Sequence, residues 1–181
     1  MNVLLIIFAV IIAVIVVILI AALFIKKDYA IERSIVIERP SNEVFNYIKN
    51  LKNQDHYNKW VMVDPNMKKT YKGTDGTIGF VYAWDGNKKA GKGEQEIKAL
   101  AQGERMDLEI RFERPFAGIA NTPFIIDTIS TGASKLRWGM SSRMKYPMNI
   151  TLGFMNMDKL LGKDLETSLK NLKNILEKGS V

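Results

Sequence analysis

The chain opens with an uninterrupted apolar run, and polar positions alternate with apolar ones only after it. Residues 3–25 contain no charged, polar, Gly or Pro residue. A helix of this length rises about 35 Å, enough to cross the hydrocarbon core of a bilayer with some tilt. Because backbone groups in lipid must bond within their own segment, the pattern predicts a helix here.

A cleaved signal peptide and a buried core helix are the alternatives to a membrane anchor. A signal peptide has a basic start, an apolar stretch of about 7–15 residues and a small-residue cleavage site. Here only Asn2 separates Met1 from an apolar run that is longer than this. A core helix would show a polar face, and this segment has none. We therefore predict one transmembrane helix over residues 3–25, with the lipid bilayer as its partner.

Basic residues follow the apolar run closely, at Lys26, Lys27, Arg33 and Arg39. The positive-inside rule places such a flank in the cytoplasm. The sequence thus predicts a single-pass membrane protein whose C-terminal domain, residues 28–181, lies on the cytoplasmic side.

The order of elements in residues 28–181 reads strand, helix, helical turn, six strands and a long helix. The first strand spans residues 31–38, and Ser41 is expected to cap the helix that follows. No linker-like composition or internal repeat divides this part, so it is predicted to form one domain. The apolar stripe of the first helix consists of Val44, Phe45, Ile48 and Leu51.

Period-two alternation in the middle of the chain predicts antiparallel strands with one wet face. In residues 106–113 it is clearest, because Asp107, Glu109, Arg111 and Glu113 take every second position. The other positions are expected to face inward. Across the strands, the inward set is Ile78, Phe80, Tyr82, Trp84, Met106, Leu108, Ile110, Phe112, Phe124, Ile126, Thr128, Leu136, Trp138 and Met140.

The end of the chain carries a stripe with helical spacing, and Gly179 is a plausible stop. A long amphipathic helix on one face of a six- or seven-stranded antiparallel sheet is an α+β architecture. Phe154, Met155, Met157 and Leu160 extend the apolar surface upstream. The stripe consists of Leu161, Leu165, Leu169, Leu172, Ile175 and Leu176.

Composition narrows the chemistry. The chain has no Cys and one His, so thiolate metal sites, disulfides and multi-His centres are excluded. No spacing typical of a catalytic triad, a carboxylate pair or a metal site is present. We expect no metal and no cofactor, and the sequence identifies no catalytic residue.

The net charge of +7 does not indicate nucleic-acid binding, because Lys and Arg are spread among acidic residues. A mild positive charge also suits a domain tethered beside anionic lipid. The Gly-rich segments 73–79 and 86–93 lie between predicted strands. They therefore indicate hairpin turns and not phosphate-binding loops.

Five segments between Ile31 and Glu177 carry a resemblance to a known superfamily. They read IERSIVIERPSNEVFNYIKNL, YNKWVMVDPN, FVYAWDGNKKAGKGEQEI, FERPF and KLLGKDLETSLKNLKNILE. In this order they resemble the SRPBCC superfamily, also called START-like or Bet v 1-like, and its bacterial polyketide cyclase/dehydrase-type branch. The resemblance implies a helix-grip fold, in which a curved antiparallel sheet surrounds the C-terminal helix and a hydrophobic cavity. The apolar N-terminal segment departs from the simpler members.

Spacing alone favours a packed core for the inward aromatic and Met residues, whereas the resemblance implies that they line a ligand cavity. Tyr82 and Thr128 could orient that ligand, and Arg33 is the best candidate for an inward charge. The expected ligand-binding residues are Phe80, Tyr82, Trp84, Leu108, Ile110, Phe112, Phe124, Ile126, Trp138, Met140, Phe154 and Met157.

Three functions are compatible with this sequence. The first is a membrane-anchored binding protein for an apolar small molecule such as a lipid, isoprenoid or polyketide-like compound. The second is a cyclase/dehydrase-type enzyme, which would need a buried acid or base. The third is a protein-interaction module whose cavity is vestigial.

Overall fold

The structure is a computed structural model that describes residues 2–179. An apolar helix, α1, precedes seven strands, and a second long helix, α6, ends the described chain. The elements in chain order are α1 (Val3–Phe24), β1 (Asp28–Ile37), α2 (Ser41–Ile48), a 3₁₀ turn (Leu51–Asn53), α3 (Gln54–Tyr57), α4 (Lys59–Met62), β2 (Lys68–Lys72), β3 (Val81–Asp85), β4 (Lys92–Ala101), β5 (Arg105–Arg114), β6 (Gly118–Ser130), β7 (Ala133–Arg143), a second 3₁₀ turn (Met148–Ile150), α5 (Thr151–Phe154) and α6 (Met157–Lys178).

All seven strands form one antiparallel sheet in the order β1-β7-β6-β5-β4-β3-β2. Five of the six neighbouring pairs are consecutive hairpins, and β1 closes the order by pairing with β7, with Ile31 opposite Met140. The predicted alternation is confirmed in β5. Met106 and Leu108 are buried, while Arg111 on the outer face pairs with Glu94, 2.7 Å away.

Helix α6 packs its leucine stripe against the inner face of the sheet. Leu165, Leu169 and Leu172 are almost fully buried. The Asn156 side chain caps the start of α6 by accepting a hydrogen bond from the Lys159 N–H. At its end Gly179 takes the left-handed conformation, with a φ of 65°, as the sequence predicts. The expected α+β helix-grip arrangement is therefore confirmed.

Arg33 of β1 fixes the N-terminal half of α6 to the edge of the sheet. Its guanidinium donates to both carboxylate oxygens of Asp158 at 2.8 Å and to Glu166 at 2.7 Å. The helix can approach because Gly162 has no side chain, and a Cβ there would lie 2.2 Å from Arg33 Nη2. The inward charge expected at Arg33 is thus present, but it forms ion pairs beneath the helix.

The predictions at strand and helix ends need correction. Ser41 is the first residue of α2 and makes no capping bond, because the cap position belongs to Pro40. The Ser41 hydroxyl instead accepts a hydrogen bond from Thr128, which is exposed at the end of β6 and does not face the interior. Ile78 is 63% exposed, since β3 begins only at Val81.

Truncating a side chain of the buried leucine stripe of α6 should destabilise the domain more than truncating one on the exposed face of the helix. We expect Leu169→Ala to lower the free energy of unfolding by about 2–5 kcal/mol, because it leaves a cavity in the core. The neighbouring exposed residue provides the control, since Lys170→Ala should change the free energy of unfolding by less than about 0.5 kcal/mol. Urea unfolding of the full chain in detergent micelles measures both, and equal effects would contradict this packing.

Candidate ligand-binding pocket

A pocket of about 550 Å³ lies between the start of α6 and the strands β3, β4 and β5. Helices α3 and α4 form its third side. Helix α4 is held to α6 because Trp60 Nε1 donates to Asp164 at 3.0 Å and the Lys59 N–H donates to the Ser168 hydroxyl at 3.0 Å. The apolar and aromatic lining consists of Tyr29, Trp60, Val61, Met67, Tyr82, Trp84, Ala90, Ile110, Phe112, Pro115, Phe116, Met140, Met157, Leu160 and Leu161.

Three amide side chains form the polar part of the pocket wall. Gln54 and Gln95 exchange hydrogen bonds, at 3.2 Å from Gln54 Nε2 to Gln95 Oε1 and at 3.1 Å in the reverse direction. Asn58 Nδ2 donates to Gln54 Oε1 at 2.8 Å. All three residues are buried. Each amide has a second donor hydrogen or lone pair. The cluster can therefore accept a hydrogen bond from a neutral hydroxyl group of a ligand, or donate one to a hydroxyl or carbonyl oxygen.

Charged groups lie only at the exposed side of the pocket. Lys89 and Arg114 line it, and Arg114 pairs with Asp85. Among the described lining residues none is Asp, Glu or His. The pocket therefore combines an apolar and amide interior with a cationic mouth.

Two tyrosines line the pocket in the neutral state. Burial raises the pKa of Tyr29 and of Tyr82 above the ordinary value. The Tyr82 hydroxyl donates to Asp55 at 2.9 Å, and Asp55 also pairs with Lys69 at 2.8 Å. Tyr82 thus presents its ring to the pocket while its hydroxyl is already bonded.

The structure divides the twelve residues expected to bind a ligand into two halves. Six line the pocket, namely Tyr82, Trp84, Ile110, Phe112, Met140 and Met157. Five others are buried in the core away from this wall, namely Phe80, Leu108, Phe124, Ile126 and Trp138. Phe124 and Trp138 stack with ring centroids 4.5 Å apart, so they fill space between the layers. Phe154 is 84% exposed, because α5 lies outside the helix–sheet layer.

Sequence reasoning missed most of the polar wall. Gln95 shares its phase on β4 with the buried Ile97, so strand alternation is the signal that could have identified it. Gln54 begins the four-residue helix α3, and Asn58 lies between α3 and the equally short α4. Helices of this length show no helical period in the sequence. Tyr29 lies before the predicted start of the first strand, which in fact begins at Asp28.

The remaining chemical candidates lie elsewhere. His56 is exposed, with its Nδ1 3.4 Å from the Tyr47 hydroxyl. Both Gly-rich segments form turns between strands, and Asp75 in the first accepts the Leu51 N–H at 2.7 Å. Within residues 2–179, no three His, Asp or Glu side chains are grouped closely enough to hold a metal ion.

Comparison with solved structures identifies the fold. No protein-family model matches the chain, and no curated protein matches it. Protein CV1439 from Chromobacterium violaceum is similar at a TM-score of 0.58 and 16% identity, over 82% of this chain and 96% of that one. Ara h 8.0201 has a TM-score of 0.57 and 12% identity, over 83% of this chain and 99% of that one. Norcoclaurine synthase from Thalictrum flavum has a TM-score of 0.62 and 6% identity, over 85% of this chain and 89% of that one.

These similarities define the class of protein by its fold. The curved seven-stranded sheet with a long C-terminal helix is the Bet v 1-like, helix-grip fold. At such low identities the likeness establishes the fold alone.

The amide pair should behave as a coupled unit. Either Gln54→Leu or Gln95→Leu leaves its partner unsatisfied, which costs about 1–3 kcal/mol of unfolding free energy. The double variant removes both groups, so we expect a coupling energy of about 1 kcal/mol or more in a double-mutant cycle. Exposed Gln102 serves as the control, since Gln102→Leu should be nearly neutral. Strictly additive costs in urea unfolding would show that the two amides do not pair.

Proposed function

We propose that this chain is a membrane-anchored protein that binds a hydrophobic small molecule in the pocket beside α6. The observation that carries the proposal is the chemistry of the pocket wall, which is aromatic, aliphatic and amide. A cavity of several hundred Å³ with few placed polar groups is typical of small-molecule sites. The ligand would be a lipid, an isoprenoid or a polyketide-like compound, as the resemblance implies.

The exposed apolar surface of α1 supports membrane anchoring. The mean hydropathy reaches 3.9 over 18 residues of this helix, and most of its large side chains are exposed, with Phe24 at 85%. Such a surface in water would be an aggregation hazard, whereas in lipid it is solvated. A signal sequence passes the same hydropathy test. However, Asn149 of the domain bonds to the end of α1, which favours a retained helix.

The energetics give the polar wall a role. Burying about 300 Å² of apolar ligand surface corresponds to roughly 7 kcal/mol relative to water, before entropy costs. A ligand that arrives from a bilayer gains little of this, because it leaves an equally apolar environment. Selectivity must then come from the shape of the pocket and from the bonds that Gln54, Asn58 and Gln95 offer.

Ligand binding is favoured over acid–base catalysis. Norcoclaurine synthase has been solved with dopamine and hydroxybenzaldehyde, so the fold accommodates aromatic small molecules. A cyclase/dehydrase-type reaction would need a group with a pKa near neutrality at the substrate. The ionisable groups of the described wall are Tyr29, Tyr82, Lys89 and Arg114, and burial raises the pKa of both tyrosines away from neutrality.

The basic residues that follow α1 support a cytoplasmic location of the domain under this proposal.

Filling the pocket should expel the ligand. The double variant Ile110→Trp/Leu161→Trp adds bulk from the sheet and from α6, and both residues line the pocket. We expect the full chain, extracted from membranes and examined by native mass spectrometry, to carry an apolar molecule. The double variant should lose at least about tenfold of that occupancy, because the added rings take the ligand's volume.

A matched variant controls for added tryptophan. Val36→Trp/Ile129→Trp places the same bulk at two exposed positions and should leave the occupancy unchanged. Circular dichroism would verify that both double variants fold. A wild-type chain without bound apolar molecules, or equal retention by the two variants, would refute ligand binding in this pocket.

A further inference from the structure

The end of α1 is docked on the domain by one buried side chain. Asn149 Nδ2 donates to the carbonyl oxygens of Ala22 at 2.6 Å and of Ile25 at 3.0 Å. Asn149 and Ala22 are both fully buried. Ala22 lies in the last turn of α1 and Ile25 is the residue that follows the helix, so their carbonyls lack partners within the helix. Asn149 therefore holds the domain to α1, and the junction is not a free hinge.

The segment around Asn149 lies beside the last two turns of α1. The Tyr146 hydroxyl reaches the Leu19 carbonyl at 3.3 Å, six residues before Ile25, or about 9 Å along the axis. Counted from Val3, Ala22 lies about 29 Å along the helix, close to the ~30 Å of a hydrocarbon core. If α1 spans the bilayer, this segment lies at the level of its headgroups.

Large apolar side chains are exposed near this level. Phe154 is 84% exposed, Met155 46% and Leu160 50%, all within eleven residues of Asn149. Gly153 lies directly against α1, since a Cβ there would be 2.8 Å from Ile25 Cδ1. Phe116 is 66% exposed and lines the same pocket as Leu160, so we group it with these residues. We call Phe116, Phe154, Met155 and Leu160 the apolar rim.

The pocket reaches both the rim and the start of β1. Phe116 and Leu160 are exposed lining residues, as are Lys89 and Arg114, so the mouth has an apolar part as well as a cationic one. Tyr29, which lies four residues after Ile25, also lines the pocket. Four residues span at most about 15 Å, so this part of the pocket wall lies near the point where the chain leaves α1.

We propose that the apolar rim inserts into the interface of the bilayer, so that the pocket mouth opens onto lipid and not onto water. The rim would contact the boundary between lipid headgroups and acyl chains. Asn149 fixes the domain in this orientation. Basic residues of the adjoining segments, Lys26, Lys145 and Lys159, suit anionic headgroups. The proposal rests on the proposed membrane anchoring and adds the route by which a ligand enters.

The absence of Cys in the sequence makes this testable by spin labelling. Phe154→Cys and Phe116→Cys each place one label on the rim, and Thr131→Cys places one in the exposed turn between β6 and β7. The labelled full chains are reconstituted in liposomes of phosphatidylcholine and phosphatidylglycerol. Power-saturation EPR then compares collision with lipid-soluble oxygen and with a water-soluble nickel complex.

We expect the rim labels to favour oxygen over nickel by at least about threefold more than the label at residue 131, as for side chains at an interface. Asn149→Asp keeps the size of the side chain but removes both donated bonds. It should shift the residue-154 label toward the aqueous value. Asn53→Ala, which loses one side-chain bond to the Tyr47 carbonyl away from α1, should not.

The outcomes separate this inference from the proposed function. Rim labels as aqueous as the residue-131 label, in protein that resists carbonate extraction, would overturn the orientation while anchoring stands. Protein that washes off the liposomes would overturn the anchoring itself. The comparison among the three labels needs no change at Asn149, so it decides the orientation even where the Asn149→Asp chain does not fold.

Discussion

The attachment of α6 to one half of the sheet is the constraint on which the rest of the structure depends. Arg33 holds the start of the helix to β1 through Asp158 and Glu166. At the other end the Glu177 carboxylate accepts the Glu38 N–H at 2.6 Å, which holds the pKa of Glu177 below its usual range. Between these ties, buried leucines pack the helix on the sheet. Because the helix is fixed to the β1 side, the strands β3, β4 and β5 and the start of α6 enclose the pocket between them.

The same inward faces supply both a solid core and a cavity. Trp138 is buried in the core, where it stacks on Phe124. Trp84 lines the pocket instead, and its Nε1 donates to the Ala90 carbonyl at 3.1 Å. The chemistry of the cavity differs from that of the core mainly in the paired amides of Gln54 and Gln95. A buried amide cluster is stable only when its members bond one another, and its spare capacity then faces the pocket.

The sequence predicted well which face of a strand a residue lies on. It did not predict whether a residue on the inner face packs in the core or lines the pocket. Alternation placed Leu108 and Ile110 inward correctly, since the period of a strand fixes which side a residue takes. It did not distinguish Trp84 from Trp138, because the distance between helix and sheet is a tertiary property. Thr128 and Ile78 were misplaced since alternation does not show where a strand ends. Strand β2, the polar segment KKTYK, shows no alternating apolar signal, so the pattern did not define its bounds although the number of strands was predicted.

An acyl chain that enters the pocket would lie close to the methyl groups of its wall. NMR of the methyl-labelled full chain in nanodiscs with protonated lipids, in an otherwise deuterated protein, can detect acyl chains close to individual methyl groups. We predict cross-relaxation from acyl protons to Ile110 and Leu161, which line the pocket, and none to Leu169, which is packed in the core. Pocket methyls that contact only other protein side chains, with no acyl signal, would contradict a hollow interior that receives ligands.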